Sequence, residues 1–405
     1  MSVRVVTFGC RLNSYESAVI KEIQGLADNV IVVNTCAVTG EAERQCRQAV
    51  RKLKRENPDA FIIVAGCAAQ IAPDVYAKMP EVGKVLGNNE KLDPASYRES
   101  GETVLVGDID STDAPLNDRM PFYFEGRSRA FIQIQQGCDN ACTFCIVTKA
   151  RGKNKSLPPD AIVNHARKLV EEGYPEIGLT GVDITAHPDL AGLTKRLLTE
   201  VSGLKRLRLG SIDPAAVQDG LIELFGEYET LMPHLHLSVQ AGDDLILKRM
   251  ARRHLRADVV DLCRKVRAIR PDVVFGADFI AGFPTETEAM FENTVALAEE
   301  CEITHLHVFP YSIRTGTPAA KMPQIPVPVR KERAKRLRLT GEKLLTDYMR
   351  SRIGTTAEVL YETDGKGLCE HYLNVKIGKS FRAGDVVPVR LTGIAETGVF
   401  EGSVL

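Results

Sequence analysis

The sequence of 405 residues has almost no net charge, no long apolar run and no basic-then-apolar leader. Because 52 Lys and Arg stand against 53 Asp and Glu, no overall field favours a nucleic-acid partner, and any basic surface must be local. No segment approaches the roughly 20 apolar residues of a membrane span, and the start MSVRVVTFGC differs from a signal peptide. We therefore expect a cytoplasmic protein without membrane association.

Ten cysteines are present. Thiols stay reduced in the cytoplasm, so these cysteines are expected to act as metal ligands, catalytic groups or core residues rather than in disulfides. Their positions relative to the predicted strands decide between these roles.

Three β-branched, apolar runs open the chain at 3–9, 29–35 and 60–66, with helical patterns between them. This alternation predicts parallel strands in a doubly wound α/β domain over residues 1–110. A polar segment with prolines predicts a linker at about 108–121.

A second alternation of strands and helices begins at 129 and contains six strand candidates. It predicts a partial (β/α)6 barrel over 124–345, with functional groups at the carboxyl ends of the strands. A basic helix follows at 330–352, where nine Lys and Arg stand against three acidic residues. Short alternating runs then predict a small antiparallel β-barrel over 350–405.

Cys138, Cys142 and Cys145 follow the first strand of the predicted barrel in a C-x3-C-x2-C spacing. Three thiolates in a short loop can hold three irons of a 4Fe-4S cluster and leave the fourth iron open to a substrate. The alternatives are a zinc site with a remote fourth ligand and a chance cluster of core cysteines. The loop position and the spacing disfavour both.

A second set of three cysteines is scattered in sequence. Cys10, Cys36 and Cys67 each directly follow one of the three amino-terminal runs. Since the carboxyl ends of parallel strands meet at one edge of a sheet, we expect these thiols to converge on a second cluster with an open iron. The alternative is that they are buried core thiols.

The cysteine loop after the first barrel strand resembles that of the radical S-adenosylmethionine enzymes. Together with FGCRLNSYES, VVNTCAVT and VAGCAAQ, it is similar to the methylthiotransferases over almost the whole chain. The resemblance implies two 4Fe-4S clusters and S-adenosylmethionine as cofactors. It implies that the Cys138 cluster cleaves S-adenosylmethionine to a 5′-deoxyadenosyl radical, and that the Cys10 cluster carries the methylated sulfur.

Within that family, GCRLN followed by ES resembles the branch that modifies carbon 2 of threonylcarbamoyladenosine, next to the tRNA anticodon at position 37. The rivals are enzymes for isopentenyladenosine or for a ribosomal protein. A non-catalytic electron carrier with two clusters, or an RNA-binding protein, is the alternative of another class. The implied partners are tRNA, bound in part by a carboxyl-terminal barrel similar to the TRAM module, an electron donor of the flavodoxin or ferredoxin type, and a sulfur source.

Further site residues follow from the same resemblance. Matches around LTGVD, LHLSVQAG and GADFIAGFPTETE imply cofactor-binding residues, although Thr285 stands where the family usually has Gly. The cofactor-binding set is Phe144, Thr180, Gly181, Gln240, Asp278 and Gly282.

Most of the candidate substrate-binding residues are chosen for their positive charge. The carboxylate of threonylcarbamoyladenosine needs a cation, and the candidates close to the cysteines are Arg151, Lys149 and Arg11, with Asn13 of GCRLN beside them. The basic helix is expected to contact phosphate through Arg333, Lys335 and Arg336. In contrast, the basic run at 248–270 is interpreted as a solvated helix face.

Overall fold

The computed structural model describes residues 3–26, 29–98, 101–110, 116 and 119–405. The predicted linker at 108–121 therefore lies partly outside the described residues. The amino-terminal elements, in chain order, are β1 (Arg4–Thr7), α1 (Arg11–Lys21), β2 (Val30–Thr35), α2 (Gly40–Glu56), β3 (Phe61–Gly66), α3 (Cys67–Ile71), α4 (Pro73–Ala77), β4 (Lys84–Leu86) and β5 (Val104–Leu105).

These five strands form one parallel sheet in the order β1-β2-β3-β4-β5. The central strands are buried on both faces, as expected for parallel strands covered by helices. Val32 shares a core with residues of α1, whereas Val33, on the opposite face, shares one with Val50 of α2. The predicted α/β domain with helices on both faces is confirmed.

The second part of the chain forms the predicted partial barrel. Its elements, in chain order, are β6 (Arg129–Gln133), β7 (Gln135–Gln136), α5 (Val147–Arg151), β8 (Lys155–Ser156), α6 (Pro159–Glu171), β9 (Glu176–Thr180), α7 (Leu190–Glu200), β10 (Arg206–Arg208), β11 (Ser211–Ile212), α8 (Asp219–Glu227), β12 (His234–Gln240), α9 (Asp244–Arg249), α10 (Arg256–Ile269), β13 (Val274–Ala281), α11 (Glu288–Glu300) and β14 (Ile303–Pro310).

Two parallel arcs, β10-β9-β6 and β11-β12-β13-β14, make up the barrel wall. One of the six strand candidates, residues 205–213, is split into β10, which pairs with β9, and β11, which pairs with β12. The two short strands lie two residues apart in sequence, and an isolated parallel bridge pairs Leu207 of β10 with Leu231, just before β12. This arrangement places the carboxyl ends of the strands at one end of the barrel.

A long helix, α12 (Val327–Arg352), leads to the carboxyl-terminal barrel. It begins before the predicted start because Pro328 occupies its first turn, where a missing N–H costs nothing. Leu337 lies in the core that includes the partial barrel, whereas Met349 lies in the core of the last domain. The helix therefore joins the two cores.

The last five strands close into a barrel in the order β15-β16-β17-β19-β18. One pair, β17 with β19, is parallel, and the other pairs are antiparallel. The strands are β15 (Thr356–Thr363), β16 (Lys366–Cys369), β17 (Asn374–Ile377), β18 (Val386–Ile394) and β19 (Phe400–Val404). Among the described residues, no helix is both long and apolar enough to cross a membrane.

Candidate active site

The first three cysteines meet at one edge of the amino-terminal sheet. Cys10 follows β1 as the N-cap residue of α1, Cys36 directly follows β2, and Cys67 directly follows β3. These strands are adjacent and parallel, so their carboxyl ends lie side by side. Gly9 has a φ of +95°, and a Cβ on it would lie 2.8 Å from Cys36 Cβ. The Cys10 and Cys36 segments are therefore in contact.

The thiols at this edge need added positive charge in order to ionise. Burial, followed by the nearby charges of Cys67 and Cys10, raises the pKa of the Cys36 thiol to about 12, against a backbone hydrogen bond at Val38 that lowers it. Three thiolates this close need positive charge, which coordinated metal supplies. The buried guanidinium of Arg151 is a further electrostatic neighbour of Cys67 and Cys10. The three sulfurs fit an iron-sulfur cluster.

The second three cysteines lie in the loop between β7 and α5. Each sulfur receives one hydrogen bond: Asn140 N donates to Cys138 Sγ at 3.4 Å, and Val147 N donates to Cys145 Sγ at 3.4 Å. The third donor is Arg252 Nη1, which lies 3.5 Å from Cys142 Sγ. Such hydrogen bonds stabilise thiolates and tune the potential of a cluster. This loop also fits a cluster.

The role of Arg252 was missed by the sequence analysis, which interpreted 248–270 as a solvated face. Its side chain is buried, and Nη2 donates at 2.9 Å both to Asp213 Oδ1 and to the Ser238 carbonyl. Arg253 binds the other oxygen of the same carboxylate. That interpretation is wrong for Arg252, whereas the Arg253 side chain remains 55% exposed. The left-handed backbone at Ala251 (φ +57°) precedes both residues and turns the chain back toward the barrel. No local sequence pattern signals this contact.

The predicted cofactor-binding residues border the cysteine loop at strand ends. Thr180 ends β9, and a Cβ on Gly181 would lie 2.8 Å from Gln135 Oε1, so the backbone passes closely there. Two residues later, Asp183 accepts a hydrogen bond from Asn140 Nδ2 in the cysteine loop at 3.2 Å. The end of β9 is thus tied to the cluster loop.

Other members of the cofactor-binding set have structural contacts. Phe144 packs edge-on against Phe283, with ring centroids 6.5 Å apart. A Cβ on Gly282 would lie 2.6 Å from Arg330 of α12, so glycine allows that helix to approach. Gln240 and Thr285 both have left-handed φ values, of 72° and 69°, which explains why glycine suits position 285 in the family pattern.

Asp278 lies between two histidines inside the barrel. Its Oδ1 is 3.3 Å from His236 Nε2 and 3.4 Å from His307 Nδ1. Hydrogen bonds from the two histidines outweigh burial and keep the pKa of the Asp278 carboxyl well below its usual range. His307 is exposed and Asp278 is half-buried. The three side chains therefore present a polar, hydrogen-bonding surface.

Two predicted substrate residues are part of a buried network instead. Arg151 donates to Glu16 Oε1 at 2.7 Å and to Asn13 Oδ1 at 2.6 Å, and Lys91 donates to the second oxygen of Glu16 at 2.6 Å. Asn13 also donates to the Phe8 carbonyl at 2.6 Å. The expectation that Arg151 and Asn13 face the substrate is not supported, because burial and these partners already occupy them. Arg151 instead forms a buried ion pair with Glu16.

The remaining candidate cations are accessible. Lys149 is exposed and donates to the Gly316 carbonyl at 3.0 Å. Arg11 is half-buried and donates to the hydroxyl of Tyr372 at 2.6 Å.

The basic helix α12 is less available for RNA than expected. Arg333 is buried and pairs with Glu286 at 2.9 Å and with Glu288 at 3.0 Å. Arg336 pairs with Glu288 and with Glu292 of α11. The assignment of Arg333 to phosphate contact is contradicted, since it holds α12 against the barrel. Lys335 is exposed.

Comparison with known proteins agrees with this architecture. The radical SAM superfamily profile matches residues 132–298, and that of the uncharacterized protein family UPF0004 matches residues 2–87. A solved structure of the radical S-adenosylmethionine methyltransferase TsrM from Kitasatospora setae is 14% identical, with a TM-score of 0.54 over 75% of this chain and 68% of that chain. The barrel and its cysteine loop define a radical S-adenosylmethionine enzyme.

Curated relatives show which family within this class the chain belongs to. The threonylcarbamoyladenosine tRNA methylthiotransferase MtaB of Rickettsia prowazekii is 51% identical over 97% of this chain and 95% of its own length. That of Thermotoga maritima is 35% identical over 98% and 96%. A tRNA-2-methylthio-N(6)-dimethylallyladenosine synthase of Cereibacter sphaeroides is 35% identical over 96% of each chain. The chain belongs to the threonylcarbamoyladenosine tRNA methylthiotransferase family.

Proposed function

We propose that the protein adds a methylthio group to carbon 2 of N6-threonylcarbamoyladenosine at position 37 of tRNA. The observation that carries the proposal is the pair of three-cysteine sites, one at the edge of the sheet and one in the barrel loop, in a chain that matches such an enzyme over nearly its full length. Isopentenyladenosine and ribosomal protein are less favoured substrates, because relatives named for threonylcarbamoyladenosine include the one at 51% identity.

The two cysteine sites would have different roles in the proposed reaction. Cys138, Cys142 and Cys145 would hold a 4Fe-4S cluster, and its open iron would bind S-adenosylmethionine. When bound, this cluster would supply the electron that cleaves S-adenosylmethionine to a radical able to take the hydrogen from carbon 2. Arg252 donates to the thiolate of Cys142, and Asp213 holds Arg252 in place.

The other site would hold the sulfur that is transferred. Cys10, Cys36 and Cys67 would bind the second 4Fe-4S cluster, with an open iron available to that sulfur. The buried Arg151–Glu16–Lys91 network fixes α1 and α5 against each other, because Arg151 lies in α5 and Glu16 in α1. This network would keep the two cysteine sites in a fixed relation.

The partners are part of the proposal. An electron donor of the flavodoxin or ferredoxin type and a separate sulfur source are required by the chemistry. The carboxyl-terminal barrel, similar to the TRAM module, would bind tRNA together with the exposed Lys335, and the reaction would take place in the cytoplasm. Because phosphate contacts release counterions, this binding should weaken as salt rises.

Nucleoside analysis tests the function. The protein, reconstituted anaerobically with iron and sulfide, would be incubated with S-adenosylmethionine, a reductant and tRNA that carries threonylcarbamoyladenosine. We expect 2-methylthio-threonylcarbamoyladenosine by mass spectrometry, and none from Cys10→Ala or Cys138→Ala. Product on isopentenyladenosine alone, or on ribosomal protein alone, would contradict the proposal. An electron carrier or simple RNA-binding protein would not cleave S-adenosylmethionine.

A further inference from the structure

Tyr372 of the carboxyl-terminal barrel packs against residues at the amino-terminal ends of strands of the radical SAM barrel. It lies between β16 and β17 and has a left-handed φ of 64°. Its ring stacks on His234, the first residue of β12, with centroids 4.8 Å apart and 23° between the planes. Its carbonyl accepts a hydrogen bond from His305 Nε2 at 3.3 Å. The tyrosine is thus held by two strands of another domain.

The turn that carries Tyr372 is also held by arginines of β10. Arg206 Nη1 donates to the Leu368 carbonyl at 2.9 Å. Arg208 donates to the Cys369 carbonyl at 2.8 Å and to the Glu370 carbonyl at 3.0 Å. The position of the Tyr372 ring is therefore determined by the barrel wall.

Three guanidinium groups surround this ring, and we call them the Tyr372 arginine group: Arg11, Arg129 and Arg208. Their Cζ atoms lie 5.0, 5.5 and 5.0 Å from the ring centroid. They come from α1, β6 and β10, so two domains supply the cations and a third supplies the ring. Such contacts hold a cation over the face of an aromatic ring.

Carboxylates form ion pairs with two of the three arginines in this group. Arg208 binds Glu176 at 2.9 Å, and Arg129 lies 3.3 Å from Glu362. Arg11 forms no ion pair within the described part of the chain, and its one hydrogen bond there goes to the Tyr372 hydroxyl. Arg11 therefore has donors and charge available to a ligand.

Two further observations point to an anion. The buried Nε and Nη1 atoms of Arg129 have no hydrogen-bond acceptor among the described residues, and Nη1 lies 3.8 Å from Glu176 Oε1, too far for a hydrogen bond. Burial, then the charges of Arg129 and other neighbours that include Arg11, lowers the pKa of the nearby Arg127. The region thus holds more positive charge than the described carboxylates neutralise.

We infer that Arg11, oriented by Tyr372, binds the carboxylate of the threonylcarbamoyl group and so selects this substrate over adenosines with an uncharged N6 substituent. The inference rests on the proposed function. Arg11 directly follows Cys10 in sequence, so its side chain starts beside the sulfur-carrying site, and its guanidinium lies at Tyr372. The guanidinium fork matches a carboxylate in two parallel hydrogen bonds, whereas an isopentenyl group offers no acceptor.

The other two candidate cations are less suited to bind the substrate carboxylate. Arg151 is buried and satisfied by Glu16 and Asn13. Lys149 already donates to the Gly316 carbonyl, in the loop after β14. Tyr372 acts as a positioning residue, because its hydroxyl accepts from Arg11 while the substrate does not touch the ring in this scheme.

The test compares an acid with its neutral ester. Anticodon stem-loops that carry threonylcarbamoyladenosine, or its methyl ester, would be offered to the reconstituted protein, and kcat/KM measured for each. The wild type should prefer the acid by about tenfold or more, as expected for a hydrogen-bonded charge pair. Arg11→Gln should reduce this preference to near unity. Tyr372→Phe should reduce it in part, mainly through KM, and Arg11→Lys should restore part of it.

The control is Arg264→Gln, an exposed arginine on α10 that pairs with Glu300 and should leave the preference unchanged. Iron content and cleavage of S-adenosylmethionine without RNA show whether each variant retains its clusters. Equal rates for acid and ester in the wild type would overturn the inference, as would a full preference in Arg11→Gln. Absence of any product from threonylcarbamoyladenosine would instead overturn the proposed function.

Discussion

At the scale of single residues, Gly9 lies at a position where a hydrogen atom fits but a Cβ does not. Gly9→Ala would place that Cβ 2.8 Å from Cys36 Cβ and 2.9 Å from Cys36 Sγ, in a backbone conformation that disfavours alanine. We expect this variant to lose the iron of the Cys10 site while the Cys138 site keeps its iron. Iron analysis after anaerobic reconstitution would measure it.

Gly25 provides the matched control for Gly9. Its φ is +81°, close to the +95° of Gly9, but an added Cβ would meet nothing within 4 Å. Gly25→Ala should therefore cost only the backbone strain, about 1 kcal/mol of the free energy of unfolding, and keep all of the iron. Equal iron loss in both variants would show that strain, rather than contact with Cys36, is responsible.

A second residue-scale prediction concerns Cys142. Cys142→Ala removes one of three thiolates, so the Cys138 site should lose its cluster and S-adenosylmethionine cleavage should stop. About four irons per chain should remain, bound at the other site. Cys46→Ala is the control, because Cys46 is buried in α2 next to Cys36 but is not one of the six predicted ligands. Retained 5′-deoxyadenosine production in Cys142→Ala would contradict the assignment.

At the scale of elements, α12 depends on one buried ion pair. Arg333→Gln leaves the Glu286 carboxylate buried without its cation, which should cost about 3–5 kcal/mol of unfolding free energy at pH 8. Burial raises the pKa of Glu286 to about 7, although the Gly282 N–H and Arg333 lower it. Loss of Arg333 raises it further, so the carboxyl can take up a proton instead. Urea unfolding at pH 8 and pH 5 measures the difference.

The sign of the pH effect follows from that raised pKa. A carboxyl whose folded pKa lies above its unfolded value contributes stability below the unfolded pKa and loses it as pH rises through the folded pKa. The cost of Arg333→Gln should therefore be smaller at pH 5 than at pH 8. Lys335→Gln, on the exposed side of the same helix, should change stability by no more than about 0.5 kcal/mol at either pH. An equal cost of Arg333→Gln at both pH values would contradict this account.

At the scale of the whole molecule, His371 connects the carboxyl-terminal barrel to the end of α10 through Asp272. Burial opposes its protonation, but hydrogen bonds with Asp272, Cys369 and Glu370 prevail and raise the pKa of His371 to about 10. Because the folded pKa is raised, the stabilisation is complete below about pH 6.5 and is lost as pH rises through 10. His371→Asn should therefore destabilise the protein strongly at pH 7 and little above pH 10.

Thermal unfolding between pH 6.5 and 10.5 measures this dependence. His165→Asn is the control, since burial lowers the pKa of His165 to about 4 and the ring stays neutral across this range. Its cost should be independent of pH there. A cost of His371→Asn that does not decline with pH would mean that the imidazolium is not what joins the two domains.

The local sequence determined most of the architecture and both cysteine sites. Apolar, β-branched runs such as β2 bury both faces only when helices cover both sides of the sheet. Parallel strands then bring their carboxyl ends to one edge of that sheet. Cys36 and Cys67 therefore converge although 31 residues separate them, since each directly follows a strand of one sheet. The loop of Cys138 was evident from its spacing alone.

Only the tertiary structure decided which charged residues are available to a ligand. Arg151 and Arg333 have the same local signature as exposed cations, but their partners Glu16 and Glu286 lie 135 and 47 residues away. In the same way, Arg252 reaches Cys142, and Tyr372 reaches Arg11 across 361 residues. Backbone pattern depends on neighbours in sequence, whereas the pairing of long charged side chains depends on which elements the fold brings together.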